Sequence, residues 1–90
     1  MKTRTVHRLV GYDRFGQRIA EEFDIPVKNL GAVKKIANVA PADPDAIGSY
    51  PLNTTQAQQI AALIQEKIDT ERNLFYLEPF AIKSLPARVA

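Results

Sequence analysis

Hydrophobic and polar positions in the first part of the chain alternate as they do in strands. Thr3 to Tyr12 is rich in Thr, Val and Tyr, and Gln17 to Ile25 carries Ile19, Phe23 and Ile25 at even spacing, the period that puts alternate side chains on one face of a sheet. Between them, Asp13-Arg14-Phe15-Gly16 reads as a turn, because aspartate accepts hydrogen bonds from the backbone ahead of it and glycine takes positive φ without steric penalty. The two strands then form a hairpin. Pairing Tyr12 with Gln17 sets Val10 against Ile19, Arg8 against Glu21, His7 against Glu22 and Val6 against Phe23, matching apolar to apolar and base to acid. Val6, Val10, Ile19 and Phe23 are expected on the core side, with Arg8 and Glu21 on that side too, where no helix covers the sheet.

The period then changes. Pro26 fixes a helix-compatible φ, and Val27, Leu30, Val33, Ile36 and Ala37 recur at spacings of three and four, predicting an amphipathic helix from about Pro26 to Ala37. Asn38 is the expected left-handed residue at its end. Pro41 to Pro51 holds three prolines and one glycine, which excludes a regular element and makes this loop the first place to look for function. Asn53 with Gln56 is a capping box, and Ala57, Ile60, Ala61, Ile64 and Ile68 mark one face of a second helix. Asn73 to Phe80, with Leu74, Phe75, Tyr76 and Leu77, reads as a third strand that Pro79 ends or places at an edge. Residues 83–90 are expected to fray.

The order β-β-α-α-β predicts one α+β domain over residues 1–90, a three-stranded antiparallel sheet with two helices packed on one face. Its core is expected to hold Val10, Ile19, Phe23, Leu30, Val33, Ile36, Ile60, Ile64 and Ile68. The other face of the sheet must then meet solvent or a partner.

Composition narrows the function classes. A chain of 90 residues that is 46% hydrophobic builds one core and not two. It has no cysteine, so packing alone must hold it, and a reducing compartment suits it. The charged start leads into no unbroken apolar stretch and no later run reaches membrane-spanning length, so a cytoplasmic protein is expected, without membrane association. The net charge of +2 is by itself too small to argue for nucleic acid as the partner, which is not expected, because phosphate binding needs a concentrated basic surface. Charge is nevertheless uneven. Lys2, Arg4, Arg8, Arg14 and Arg18 crowd the first 18 residues against Asp13 alone, while the second half carries an acidic excess.

Catalytic chemistry has little to work with, and the reading is that the chain is no enzyme and takes no cofactor. His7 is the only histidine and is expected in a structural or solvated role beside Glu22. Ser49 and Ser84 lack a nucleophile elbow. Asp43 and Asp45 alternate like calcium ligands, but Pro44 separates them and no glycine and terminal glutamate follow at the required spacing, so no metal is expected. They are either solvated turn residues or carboxylates offered to a basic partner. Lys28, Lys34 and Lys35 are read as ordinary solvated charge. Tyr50 and Tyr76 combine rigid apolar area with a polar tip, the property favoured at interface centres.

The succession of hairpin, short helix, Asp-Pro loop, capped helix and aromatic strand resembles an uncharacterised family of short bacterial domains found beside polymorphic toxins of the contact-dependent inhibition type and taken for immunity proteins. The resemblance rests on Tyr12-Asp13, Val33-Lys34-Lys35-Ile36, Asp43-Pro44, Tyr50-Pro51-Leu52-Asn53 with Gln56-Ala57, and Phe75-Tyr76-Leu77-Glu78; Asn38 stands where such domains would have glycine. It implies a cytoplasmic protein, without cofactor, that binds a cognate toxin domain and blocks it. The partner is expected on the long loop through Asp43, Asp45 and Tyr50, with the exposed sheet face of Arg8, Glu22 and Tyr76 as the next candidate. Two alternatives stand beside this reading. One is a nucleic-acid-binding module using Arg4, Arg8, Arg14 and Arg18, with Tyr12 or Phe15 stacking on bases. The other is a homodimer that completes the open sheet face or an edge strand.

Overall fold

A computed structural model describes residues 3–83. Its elements are β1 (Thr3–Asp13), β2 (Ile19–Ile25), α1 (Val27–Ala37), β3 (Tyr50–Leu52), α2 (Thr54–Leu63) and β4 (Asn73–Lys83). The chain is α+β, with a four-stranded antiparallel sheet in the order β2-β1-β4-β3. The sequence pattern predicts three strands; the fourth is β3, whose three residues include Pro51 and pair only with Phe75 to Leu77 of β4. So short a strand leaves no alternation to read, and its proline is tolerated because β3 is an edge. Pro79 does not end β4, which continues to Lys83. At that position β3 no longer runs alongside, while β1 still pairs with β4, His7 opposite Pro79. Apart from Lys83, the residues expected to fray lie outside those described.

The hairpin forms, but in another register. Leu9 lies opposite Phe23, Val10 opposite Glu22 and Arg8 opposite Asp24, and a bulge between Gly11 and Tyr12 brings Tyr12 opposite Ile19. The turn is longer than Asp13 to Gly16, with Asp13 N–H donating to the Arg18 carbonyl at 2.8 Å. As expected, the Asp13 side chain organises it, accepting from Phe15 N–H at 2.8 Å and Gly16 N–H at 3.3 Å. The left-handed residue is Gln17, at φ 54°, and not Gly16.

A slip by an odd number of residues exchanges the faces. Leu9, Phe23, Ile25, Phe75 and Leu77 face the helices, packed with Val33, Ala37, Ala57, Ile60 and Ala61. Leu30, Ile36, Ile64 and Ile68 join them half-buried. Two expected core residues are corrected. Ile19 is 51% exposed, and Val10 is buried but lies on the opposite face, between Arg8 and Tyr12 along its strand and Glu22 and Tyr76 across it.

Both helices follow their sequence signals at the start. Pro26 is the N-cap of α1, and Asn38 ends it at φ 61° and ψ 48°. Asn53 caps α2 reciprocally: its Oδ1 accepts from Gln56 N–H at 2.7 Å, and Gln56 Oε1 accepts from Asn53 N–H at 2.8 Å. The far end of α2 differs. The helix stops at Leu63, because Gln65 turns left-handed at φ 59° and Glu66 N–H closes back on the Ala61 carbonyl. Ile68 still packs on the core, from beyond the helix.

Candidate functional site

The helices cover one face of the sheet, and the pairing of strands fixes what stands on the other. Reading across β2, β1, β4 and β3, its rows are Ile19–Tyr12–Leu74, then Glu22–Val10–Tyr76–Pro51, then Asp24–Arg8–Glu78, and finally Val6–Phe80. Ile19 and Leu74 are 51% and 43% exposed. Aromatic and aliphatic surface at both ends thus encloses a charged band.

Within that band Arg8 is held from several sides. Its Nε donates to Asp24 Oδ1 at 2.7 Å, its Nη1 donates to Glu22 Oε2 at 3.3 Å, and its guanidinium carbon lies 4.6 Å from the centre of the Phe80 ring. The hydrogen bond to Asp24 is the first cause of the upward shift in the Arg8 pKa, which keeps the guanidinium charged. Glu78 is held differently. Tyr12 OH donates to its Oε1 at 2.7 Å and Ser49 Oγ donates to its Oε2 at 3.0 Å. The bond from Tyr12 to this carboxylate, with burial second, pushes the Tyr12 phenol up to about 12. Tyr12 and Tyr76 meet edge to face, their ring centres 5.5 Å apart.

Within the band formed by the rows of Val10 and Arg8, three carboxylates, Glu22, Asp24 and Glu78, therefore stand with one guanidinium. The local balance is acidic although the chain as a whole is basic. Sequence reasoning found Arg8, Glu22 and Tyr76, and the fold brings these three together. That reasoning did not place Tyr12, Asp24, Leu74 and Glu78 here; Asp24 joins the site through the register of β1 with β2, and Leu74 and Glu78 through that of β1 with β4. The signal available was the placing of Tyr76 and Glu78 between Phe75, Leu77 and Pro79.

The long loop is organised from within. Asp43 accepts from Ile47 N–H at 2.8 Å, Gly48 N–H at 2.9 Å and Tyr50 OH at 2.6 Å. These bonds, the Tyr50 one foremost, hold its carboxyl below the usual range. Tyr50 lies opposite Leu77, so its ring belongs to the helix side of the sheet and packs against the core. Of the loop residues expected to meet a partner, Asp43 and Tyr50 thus brace the loop, while Asp45 is exposed.

His7 is buried and structural, though Glu22 is not its partner. On the helix side of β1, its Nε2 lies 3.1 Å from the carbonyls of both Asp45 and Ala46, and as an N–H it ties the loop to the sheet. Glu22 stands on the other face, with Arg8. Lys34 Nζ adds a further tie, donating to the Pro44 carbonyl at 2.8 Å.

The basic residues of the hairpin do not form one free surface. Arg8 is paired with acids, and Arg14 donates to the carbonyls of Glu71 and Thr70 at 2.9 and 3.1 Å. Among the described residues, no helix is long and apolar enough to cross a membrane.

No curated protein and no solved structure matches the chain. A family match runs over residues 7–78, from the histidine that ties down the loop to the glutamate of the charged band. It takes in both helices and most of the open face, and by it the chain belongs to the family described as a domain of unknown function, DUF7683.

Proposed function

We propose that the chain is a toxin-binding immunity protein, which neutralises a cognate bacterial toxin domain in the cytoplasm by tight non-covalent binding through the open face of its sheet. The observation that carries this reading is the face itself. An antiparallel sheet covered on one side only leaves its second side for solvent or a partner, and here that side exposes Ile19, Leu74 and Pro51 around an acid-rich charged band. Apolar area supplies the driving force of association, while the charges steer encounter and select a basic partner.

Size decides how much more of the molecule takes part. Three long strands at about 4.8 Å spacing, each contributing some seven residues at about 3.4 Å, give a flat footprint of roughly 350 Å². A standard interface takes about 800 Å² from each partner. The flanks must therefore contribute, with Phe15 of the hairpin turn, 93% exposed, at one end and the loop bearing Asp45 and Ser49 beside β4. A nucleic-acid-binding role has weaker support, because an acidic band occupies the sheet face on which Arg8 would have to meet phosphates and Tyr12 to stack on bases.

The reading expects a toxin domain encoded beside the gene for this chain, and the test uses the product of such a neighbouring reading frame. Co-expression of the chain should restore growth of cells producing that toxin, and calorimetry should show a one-to-one complex. Leu74→Arg, on the open face, should abolish both in a folded protein, whereas Lys28→Ala on the exposed side of α1 should abolish neither. A folded Leu74→Arg chain that protects as well as the parent would refute the reading.

A further inference from the structure

A cleft of about 430 Å³ opens on the free face of the sheet, where Tyr12, Leu74 and Tyr76 meet Glu78 and the base of the hairpin turn at Arg14. Its walls are flat aromatic surface. An edge-to-face pair such as Tyr12 and Tyr76 engages one face of one ring and leaves other ring faces available to a cation. Two carboxylates line the cleft, Asp13 and Glu78; Asp13 is engaged by the Phe15 and Gly16 amides of its own turn, so Glu78 is the one left to meet a ligand. Its two oxygens each accept one hydrogen bond from a neutral hydroxyl, of Tyr12 and of Ser49, whereas an ionised carboxylate offers about four lone-pair sites.

Among the described residues, no cation pairs with Glu78. Arg8, directly across the strands from it, turns to Asp24 and Glu22 on the other side. Arg14, the one basic residue on the wall of the cleft, is committed to the carbonyls of Thr70 and Glu71. The cleft thus holds a negative charge that is oriented by hydroxyl groups and, among the described residues, paired with no cation, beside aromatic surface.

We propose that this cleft is a socket for a single arginine side chain of the bound protein, its guanidinium paired with Glu78 and its alkyl stem lying against Tyr12, Leu74 and Tyr76. The inference rests on the reading of the open face as a protein-docking surface, and it names the chemistry that face selects. Arginine fits better than lysine. Its planar fork matches a carboxylate, stacks on aromatic rings and is more weakly hydrated than an ammonium, and its methylenes lie along apolar walls while the head stays polar.

The probe is the tripeptide acetyl-Gly-Arg-Gly-amide, titrated into the ¹⁵N-labelled full chain, with the citrulline peptide as its neutral isostere. The arginine peptide should shift the amide resonances of Tyr12, Leu74, Tyr76 and Glu78 saturably, and the citrulline peptide should not. Glu78→Gln, which keeps the shape and the hydrogen-bond acceptor, should weaken the arginine peptide about fivefold, the upper range for a partly exposed ion pair. Equal binding of both peptides, shifts confined to Glu22 and Asp24, or unchanged affinity in a folded Glu78→Gln chain would each overturn the socket.

The two readings fail separately. A cognate toxin that binds the parent and Glu78→Gln alike removes the socket and leaves the docking face standing. A chain that takes the arginine peptide at Glu78 but protects against no toxin keeps the socket and removes the proposed function.

Discussion

Adding one methyl group at Gly11 tests whether the centre of the sheet is packed as tightly as its geometry implies. Gly11 is buried on the helix-facing side of β1, opposite Phe75 of β4, which is itself buried. A Cβ at this position would lie 2.6 Å from Phe75 Cε2 and 2.8 Å from Cζ, well inside the roughly 3.5–4.0 Å at which carbon atoms rest in contact. The whole ring must move, and Leu9, Leu77 and Ile60 occupy the same core. Overpacking of this kind costs about 1 to 3 kcal/mol. Replacing glycine inside a strand returns about 0.5 to 1 kcal/mol of backbone entropy. Gly11→Ala should therefore destabilise the chain by about 1 kcal/mol net, the difference between the middles of these ranges, and by no more than about 2.5 kcal/mol.

Urea unfolding measures this as a lower midpoint at constant slope. The double mutant isolates the cause. With Phe75→Leu in place the obstructing ring is gone, so Gly11→Ala should become neutral or stabilising, a coupling within the roughly 0.5 to 3 kcal/mol found for residues in contact. If Gly11→Ala is neutral in the parent, or costs the same in the Phe75→Leu background, the close approach of β1 to the Phe75 ring is not what requires glycine there.

Two further outcomes follow from hydrogen bonds already described. Asn53→Ala should cost about 0.5 to 2 kcal/mol in chemical denaturation because it orphans the Gln56 amide, whereas Thr55→Ala, at an exposed position, should stay within about 0.5 kcal/mol; equal effects would mean that the box does not cap α2. Tyr12, pushed up to about 12 first by its bond to Glu78 and then by burial, keeps its proton in the folded chain where an unfolded tyrosine, near pH 10, has lost it. The stability this provides is fully present below about pH 10 and is lost as pH rises toward the folded value. The stability gap between the parent and Tyr12→Phe should narrow over that window, and a gap independent of pH would show that the phenol proton is not held by Glu78.

The features legible in the chain before folding are local ones. The reciprocal Asn53 and Gln56 cap, the left-handed Asn38, the Asp13 turn and the helix stripe of Leu30, Val33 and Ile36 follow from interactions spanning no more than four residues, which the chain encodes wherever it goes. The α+β composition followed from them. Tertiary structure decided the rest, because it depended on partners far away in the chain. Apolar β1 residues alternate well enough to fit two hairpin registers, and the one observed also serves β4, pairing Leu9 with both Phe23 and Leu77 while Arg8 faces Glu22, Asp24 and Glu78 on the other side. β3 is too short to carry a pattern and exists only because β4 offers it an edge. Gln65 ends α2 without a glycine to announce it. The same nonlocality governed the candidate sites. Asp43 looked like a free carboxylate until the loop folded around it, and Glu78 became part of a cleft only when β1 brought Tyr12 to it across the sheet.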